Sequence, residues 1–144
     1  MSDDESTGPR ADSPSKARKS GRRARATYEV LLVEDDRDAA TLMRLFLEKA
    51  GHGVATAADG PAALAAAATR GFDTVILDLG LPDLSGSEVL RELKKRPHLR
   101  RTRFICLSGR RERDVDWRTL GFDHYLEKPV PFPELAKLLG PRSS

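Results

Sequence analysis

The sequence predicts an α/β domain in which a parallel sheet is covered by helices on both faces. Short, continuously apolar segments alternate five times with longer segments whose apolar residues recur every three or four positions. The short segments have no alternating polar positions, which is typical of strands that are buried on both faces. Right-handed crossovers between such strands leave the doubly wound arrangements as the main solutions.

Five segments carry the strand pattern. They are short, rich in aliphatic side chains, and separated by the helical segments described below. The predicted strands are YEVLLV from Tyr28, GVATA from Gly53, DTVIL from Asp73, RFICL from Arg103 and DHYL from Asp123.

The first two helices follow the first two strands. The first has apolar residues at three- and four-residue intervals, namely Ala39, Leu42, Met43, Phe46, Leu47 and Ala50. Gly51 is a typical residue for its end. The segment 59–61, Asp-Gly-Pro, opens an alanine-rich second helix that ends at Gly71.

The remaining helices are less regular. Ser85 and Glu88 have capping-box spacing, so a third helix starts there and Pro97 stops it. The segment 110–120 has few apolar positions, which predicts a short or loose fourth helix. A last helix is expected to begin at Pro133 and to end at the following Gly-Pro pair.

The N-terminal segment differs in composition from the rest. Residues 1–27 contain seven basic and four acidic residues and almost no large apolar residue, whereas the remainder contains 18 of each charge. We therefore predict a disordered basic tail over 1–27, a domain over 28–140 and a short C-terminal tail over 141–144. The segment from Lys16 to Arg25 could contact nucleic acid, anionic lipid or an acidic partner, or could be a solvated tether. The neutral domain gives no general argument for nucleic-acid binding.

Other features exclude several classes of protein. No apolar run approaches the roughly 20 residues that span a bilayer, and the polar N-terminus does not look like a signal peptide, so we expect a cytoplasmic protein without a membrane contact. Cys106 is the single cysteine and lies in an apolar run, which indicates a buried core thiol. The three histidines lack the spacing of metal ligands.

Polar residues follow four of the five predicted strands. In chain order they are Glu34, Asp35 and Asp36 after the first strand, Asp78 after the third, Ser108 after the fourth and Lys128 after the fifth. The carboxyl ends of parallel strands form the usual site edge of such sheets, so these side chains are expected to meet. Several carboxylates in one place require a cation, and an all-oxygen set favours Mg²⁺. A lysine and a hydroxyl beside them complete a pocket suited to phosphoryl transfer.

Four segments of the chain resemble the landmark segments of bacterial two-component response-regulator receiver domains. They are LLVEDD, VILDLGLPDLSG, FICLSG and HYLEKP, and they occur in the family's order with near-family spacing over about residues 28–140. The resemblance implies a flavodoxin-like fold with strand order 2-1-3-4-5 and five helices. It also implies a stand-alone receiver similar to those of chemotaxis.

The resemblance implies a role for each landmark residue. Asp78 matches the aspartate that accepts the phosphoryl group, and Lys128 matches the lysine that pairs with a phosphoryl oxygen. Glu34 and Asp35 match the acidic pair, with Asp35 as a direct Mg²⁺ ligand. The backbone carbonyl of Gly80 is implied as a further Mg²⁺ ligand.

The resemblance extends to the switch residues. Ser108 matches the hydroxyl residue that bonds the phosphoryl group, and Tyr125 matches the aromatic that turns inward when Ser108 moves. The bond between Lys128 and Pro129 is expected to be cis.

Some of these residues have alternative interpretations. Asp36 could replace Glu34 as the functional acid, but it also suits the N-cap of the first helix. Asp83 follows a proline and is interpreted as a turn residue. Tyr125 could be an ordinary core residue, and Ser108 could simply form a turn. Trp117 could be a packing anchor or a contact residue.

Three functions are compatible with the sequence. The favoured one is a phosphorylatable receiver whose donor is a sensor histidine kinase or a histidine phosphotransfer protein. Such a protein is not an enzyme beyond its own phosphorylation and dephosphorylation, and its output face would include the fourth helix, fifth strand and fifth helix. A second is a pseudo-receiver, which would lack a site residue, although none is missing. A third is weak, non-specific nucleic-acid binding by the basic tail, since no DNA-binding motif follows the domain.

Overall fold

A five-stranded parallel sheet forms the centre of the computed structural model, which describes residues 28–139. Its strands are β1 Glu29–Val33, β2 Gly53–Ala57, β3 Thr74–Asp78, β4 Arg103–Ser108 and β5 His124–Glu127. They are arranged in the order β2-β1-β3-β4-β5, and every neighbouring pair is parallel. The predicted order and fold class are confirmed. The predicted tails over 1–27 and 141–144 lie outside the described residues.

Four α-helices connect the strands and a fifth follows β5. They are α1 Arg37–Lys49, α2 Gly60–Ala66, α3 Gly86–Lys94, α4 Trp117–Leu120 and α5 Phe132–Leu138. Side chains cap the first three: Asp36 accepts from the Ala39 amide at 3.0 Å, Asp59 caps α2, and Ser85 forms a capping box with Glu88. These caps explain why the helix starts could be predicted from the sequence.

The core has two halves, one on each face of the sheet. Alternate strand residues such as Val33 and Leu77 pack with α2, α3 and α4, whereas Leu32 and Ile76 pack with α1 and α5. Because successive strand residues point to opposite faces, continuously apolar strands are needed to fill both halves. Cys106 lies in the first half, and burial raises the pKa of its thiol to about 12, as expected for a core thiol.

The connection between β4 and β5 is the least regular part of the described chain. Residues 112–114 form a 3₁₀ turn and α4 has only four residues, which confirms the prediction of a short fourth helix. No side chain caps α4 at Asp116, and Gly121 ends the helix with a φ of 110° that favours glycine. The last helix begins at Phe132, one residue before the predicted start at Pro133.

Within residues 28–139, none of the helices combines the length and the apolar character that crossing a membrane would require.

Candidate functional site

The carboxyl ends of β1, β3, β4 and β5 bring the predicted site residues together. Glu34 and Asp35 follow β1, Asp78 is the last residue of β3, Ser108 is the last residue of β4, and Lys128 follows β5. In a parallel sheet these ends lie along one edge, which we call the carboxyl edge. The structure therefore places side chains that are far apart in sequence around one pocket.

Three carboxylates converge at the centre of the carboxyl edge. Glu34, Asp35 and Asp78 each offer an oxygen, and these oxygens lie within 4.8 Å of one another. Glu34 and Asp78 are buried, whereas Asp35 is exposed. Asp36 does not belong to this cluster: its side chain caps α1, and its amide donates a hydrogen bond to Glu34 Oε2 at 3.0 Å. The structure thus separates the capping acid from the clustered acids.

Lys128 compensates the charge of the two buried acids. Its Nζ lies 2.8 Å from Asp78 Oδ2 and 3.0 Å from Glu34 Oε1. Burial by itself would lower the pKa of Lys128, but the hydrogen bond with Asp78 and the negative charges of Asp78 and Glu34 outweigh this effect and raise the pKa. The ammonium group is therefore a fixed positive charge beside Asp78.

Only one of the two carboxylate oxygens of Glu34 accepts a well-directed hydrogen bond in this arrangement. Burial raises the pKa of its carboxyl group, while the Asp36 amide and Lys128 reduce that increase. Its Oε1 is buried and makes no well-directed hydrogen bond, although Lys128 lies close to it. A buried carboxylate oxygen with a free lone pair, beside two other carboxylates, is suited to a hard cation.

The backbone around Asp78 is held closely. Its Oδ1 accepts a hydrogen bond from the Gly80 amide at 2.9 Å, and the Leu79 amide donates to the Leu107 carbonyl at 3.0 Å. Gly86 packs against the same backbone, since a Cβ atom there would lie 2.4 Å from the Asp78 carbonyl oxygen. No role for Gly86 was predicted from the sequence, although its position directly after the capping residue Ser85 marks it as the first residue of α3.

Ser108 and Tyr125 are linked through Arg110. Ser108 is buried and its Oγ accepts the Arg110 amide at 3.1 Å, while the Tyr125 hydroxyl donates to the Arg110 carbonyl at 2.6 Å. Burial raises the pKa of Tyr125, and the nearby Ser108 side chain partly offsets this effect. The Tyr125 ring is only 9% exposed, and the buried Trp117 ring lies 6.2 Å from it. Trp117 is therefore a packing residue behind Tyr125.

The remaining predicted features are located as follows. Gly80 lies beside Asp78, the peptide bond between Lys128 and Pro129 is cis, and Asp83 is exposed in the loop before α3. All site residues named from the sequence thus lie at the carboxyl edge or, for Tyr125, directly behind it.

The residues of the acidic cluster fit a magnesium ion. Mg²⁺ prefers oxygen ligands and retains several waters, so it needs only a few protein carboxylates. The cluster offers three carboxylates, one of them exposed to water, together with the Glu34 oxygen that lacks a hydrogen bond. Glu34, Asp35 and Asp78 are the side chains that would hold it.

Comparison with known proteins agrees with this geometry. Residues 30–140 match the family model described as the response regulator receiver domain. The chain is 36% identical to the sensory transduction protein RegX3 of Mycobacterium tuberculosis over 109 residues, which cover 74% of this chain and 46% of that protein. The chain therefore spans less than half the length of this relative.

Solved structures show the same fold. A CheY-like receiver domain from Methylobacillus flagellatus is 36% identical with a TM-score of 0.71, covering 77% of this chain and 94% of that one. The receiver domain of the sensor histidine kinase PA1611 from Pseudomonas aeruginosa is 31% identical with a TM-score of 0.71, covering 78% and 94%. That structure has a magnesium ion coordinated in its active-site cleft. The chain therefore belongs to the family of two-component response-regulator receiver domains, whose general function is phosphorylation-dependent signalling.

Proposed function

We propose that this chain accepts a phosphoryl group on Asp78 from a phosphohistidine of a sensor histidine kinase or a histidine phosphotransfer protein. The observation that carries the proposal is the position of Asp78, a buried carboxylate held by Lys128 and the Gly80 amide within an acidic cluster. In this reaction an Asp78 oxygen forms a bond to phosphorus while the phosphorus–nitrogen bond to the donor histidine breaks. The histidine ring leaves with the electron pair of that bond and takes up a proton.

The surrounding residues supply positioning and charge, which are the main requirements of phosphoryl transfer. Lys128 would pair with a phosphoryl oxygen once Asp78 is modified, and the Ser108 hydroxyl would donate to another. Glu34 and Asp35 would hold Mg²⁺ together with Asp78 and the Gly80 carbonyl. When bound, Mg²⁺ neutralises the clustered carboxylates and the charge of the transferring group. The protein's catalysis is limited to its own phosphorylation and dephosphorylation.

The proposed readout runs from Ser108 to the segment before β5. Ser108 bonds the Arg110 amide, so its movement toward a phosphoryl group would pull on the same loop that Tyr125 holds through the Arg110 carbonyl. Tyr125 already lies inward in this structure, so phosphorylation would stabilise that position and reorder residues 110–120 around it. The affected face would comprise α4, β5 and α5, where an unidentified partner protein would bind.

Two alternatives are less well supported. A pseudo-receiver would lack one of the site residues, whereas Asp78, Ser108 and Lys128 are all present and gathered. The other alternative, weak nucleic-acid binding by the basic tail, concerns residues 1–27, which lie outside the described part of the chain. A cytoplasmic location without a membrane contact stays a prediction.

The test uses Mg²⁺ and acetyl phosphate, a small phosphodonor, with intact-mass spectrometry of the full chain. The expected product is one phosphoryl addition that alkaline hydroxylamine removes, as it does an acyl phosphate. Asp78→Asn should abolish the addition, and Asp83→Asn, an exposed aspartate in the loop after β3, should preserve it. An equal mass gain in the Asp78→Asn protein would show that the acceptor is elsewhere.

A further inference from the structure

The positive charge of the folded domain is concentrated in one segment. Residues 91–103 contain seven basic side chains and one acid, whereas the rest of 28–139 contains ten basic and seventeen acidic side chains. The segment comprises the last turn of α3, the 3₁₀ turn at 97–99 and the start of β4. Because the strands are parallel, this is the opposite edge of the sheet from Asp78, and we call it the amino edge.

The contacts of this segment leave most of its charge uncompensated. Its one acid, Glu92, is bound by Lys95 at 3.1 Å, and Arg103 donates to the Leu138 carbonyl at 2.8 Å. Five cations remain, and none of them forms an ion pair with any residue in the part of the chain that the structure describes. They constitute what we call the amino-edge patch: Arg91, Lys94, Arg96, Arg100 and Arg101.

Helix stabilisation explains only part of this patch. Arg91 and Lys94 lie in the last turn of α3, where cations interact favourably with the helix dipole. Arg100 and Arg101 lie beyond the helix, are exposed, and contribute nothing to the core. Neighbouring like charges repel one another, so their concentration without ion-pair partners favours a polyanionic ligand.

The composition of the patch favours nucleic acid over a membrane surface. Four of its five cations are arginines, whose planar guanidinium groups match phosphate oxygens. Binding to a lipid surface normally also requires exposed aromatic or aliphatic side chains that enter the bilayer interface. Within residues 91–103 the large aliphatic side chains, Leu93 and Leu99, are buried.

We propose that the amino-edge patch binds the phosphate backbone of nucleic acid without sequence specificity. The acidic carboxyl edge would face away from the bound polyanion, because Glu34, Asp35 and Asp78 lie at the other ends of the strands. A phosphodonor could therefore reach Asp78 while the amino edge is occupied. The proposal does not depend on phosphorylation, since the patch shares no residue with the acceptor pocket.

The experiment measures binding of the full chain to a fluorescently labelled DNA duplex of about 20 base pairs by anisotropy, at several salt concentrations. The patch variant replaces Arg91, Lys94, Arg96, Arg100 and Arg101 with Gln. The matched control replaces five other exposed cations with Gln, which gives the same net charge: Lys49, Arg111, Arg113, Arg118 and Lys137. The basic segment 16–25 is present in all three proteins, so its contribution is the same in each.

The expected result is a loss of affinity of roughly tenfold or more at low salt in the patch variant, with a salt dependence that is shallower by about 0.9 for each lost phosphate contact. The control variant should lose much less affinity for the duplex. Acetyl phosphate labelling of Asp78 should be unchanged in the patch variant and its thermal transition should remain cooperative, which shows that it is folded.

Three results would overturn the proposal. One is a patch variant that binds the duplex as tightly as the unmodified chain. Another is an equal loss of affinity in both variants, which would indicate an effect of net charge alone. The third is tighter binding of the unmodified chain to vesicles containing anionic phospholipid than to the duplex, with the patch required for that binding, which would assign the patch to a membrane surface.

Discussion

The two edges of the sheet use charge in opposite ways. At the carboxyl edge, Glu34 and Asp78 are buried and share Lys128, with nitrogen–oxygen distances of 3.0 and 2.8 Å. At the amino edge, side chains such as Arg100 and Arg101 are exposed and have no partner among the described residues. Charges within the carboxyl edge interact at short range and low dielectric, whereas those at the amino edge are screened by water.

Substitutions at the two edges are therefore expected to have different effects. At the carboxyl edge a single change should have a large effect, because each group is held by specific neighbours and a buried charge without its partner is costly. In the exposed amino-edge patch, single changes should have small and nearly additive effects. The following predictions test this contrast, in order of decreasing effect.

The largest effect is expected from Gly86→Ala. The added Cβ would lie 2.4 Å from the Asp78 carbonyl oxygen and 2.7 Å from Leu79 Cα, and both are backbone atoms that cannot rotate away. We expect a loss of about 2–3 kcal/mol in the free energy of unfolding, measured by urea denaturation, and slower labelling of Asp78 by acetyl phosphate.

Gly109→Ala is the matched control for that change. Gly109 directly follows Ser108 at the same edge, but a Cβ there would meet no atom within 4 Å. Its free energy of unfolding should change by less than about 0.5 kcal/mol. If both glycine variants were equally stable, the close packing of Gly86 against the backbone of Asp78 would not constrain the site.

A smaller, pH-dependent effect is expected at His52, a buried residue of the amino edge. Its Nδ1 accepts the Tyr28 amide at 2.9 Å, and burial lowers its pKa although Asp73 acts in the opposite direction. A depressed histidine pKa means that the unfolded chain binds the proton more readily. The stabilising contribution is therefore complete above the ordinary value of 6.5 and is lost as the pH falls from there toward the folded pKa.

His52→Gln tests this assignment by urea denaturation between pH 8 and pH 5. The variant should be about 1 kcal/mol less stable at pH 8, where it loses the hydrogen bond and the stacking on Tyr28. The difference should shrink as the pH falls, because only the unmodified protein loses stability on protonation of His52. A difference that stays constant with pH would contradict the shifted pKa.

The smallest effect is expected from Arg100→Gln. The side chain is exposed and lies outside both halves of the core, so the free energy of unfolding should change by less than about 0.5 kcal/mol. Affinity for the DNA duplex should fall only two- to threefold at low salt, consistent with one phosphate contact among several. If Arg100→Gln alone lost as much affinity as the variant with all five substitutions, Arg100 would make a specific contact. The contrast between the two edges would then fail.

Local sequence patterns are sufficient to predict the strands and helix starts of this protein and the residues that gather at the carboxyl edge. Apolar runs that lack polar positions specify strands buried on two faces, and the parallel arrangement then places residues such as Glu34, Asp78 and Lys128 at one edge. The starts of α1 and α3 also depend on local interactions, because the side chains of Asp36 and Ser85 accept hydrogen bonds from amides only three residues away. These features depend on neighbours in the chain or on the order of the strands, and both can be read from a sequence.

The contacts between distant segments became known from the tertiary structure. It separated Glu34 from the capping Asp36, brought Gly86 against the backbone of Asp78, and placed Tyr125 inward between Trp117 and the Arg110 carbonyl. It also showed that a domain with balanced charges has an acidic cluster at one edge of the sheet and an exposed basic patch at the other. Composition averages charge over the chain, whereas the fold assigns each charge a position, a burial and a partner, and these determine how strongly it interacts.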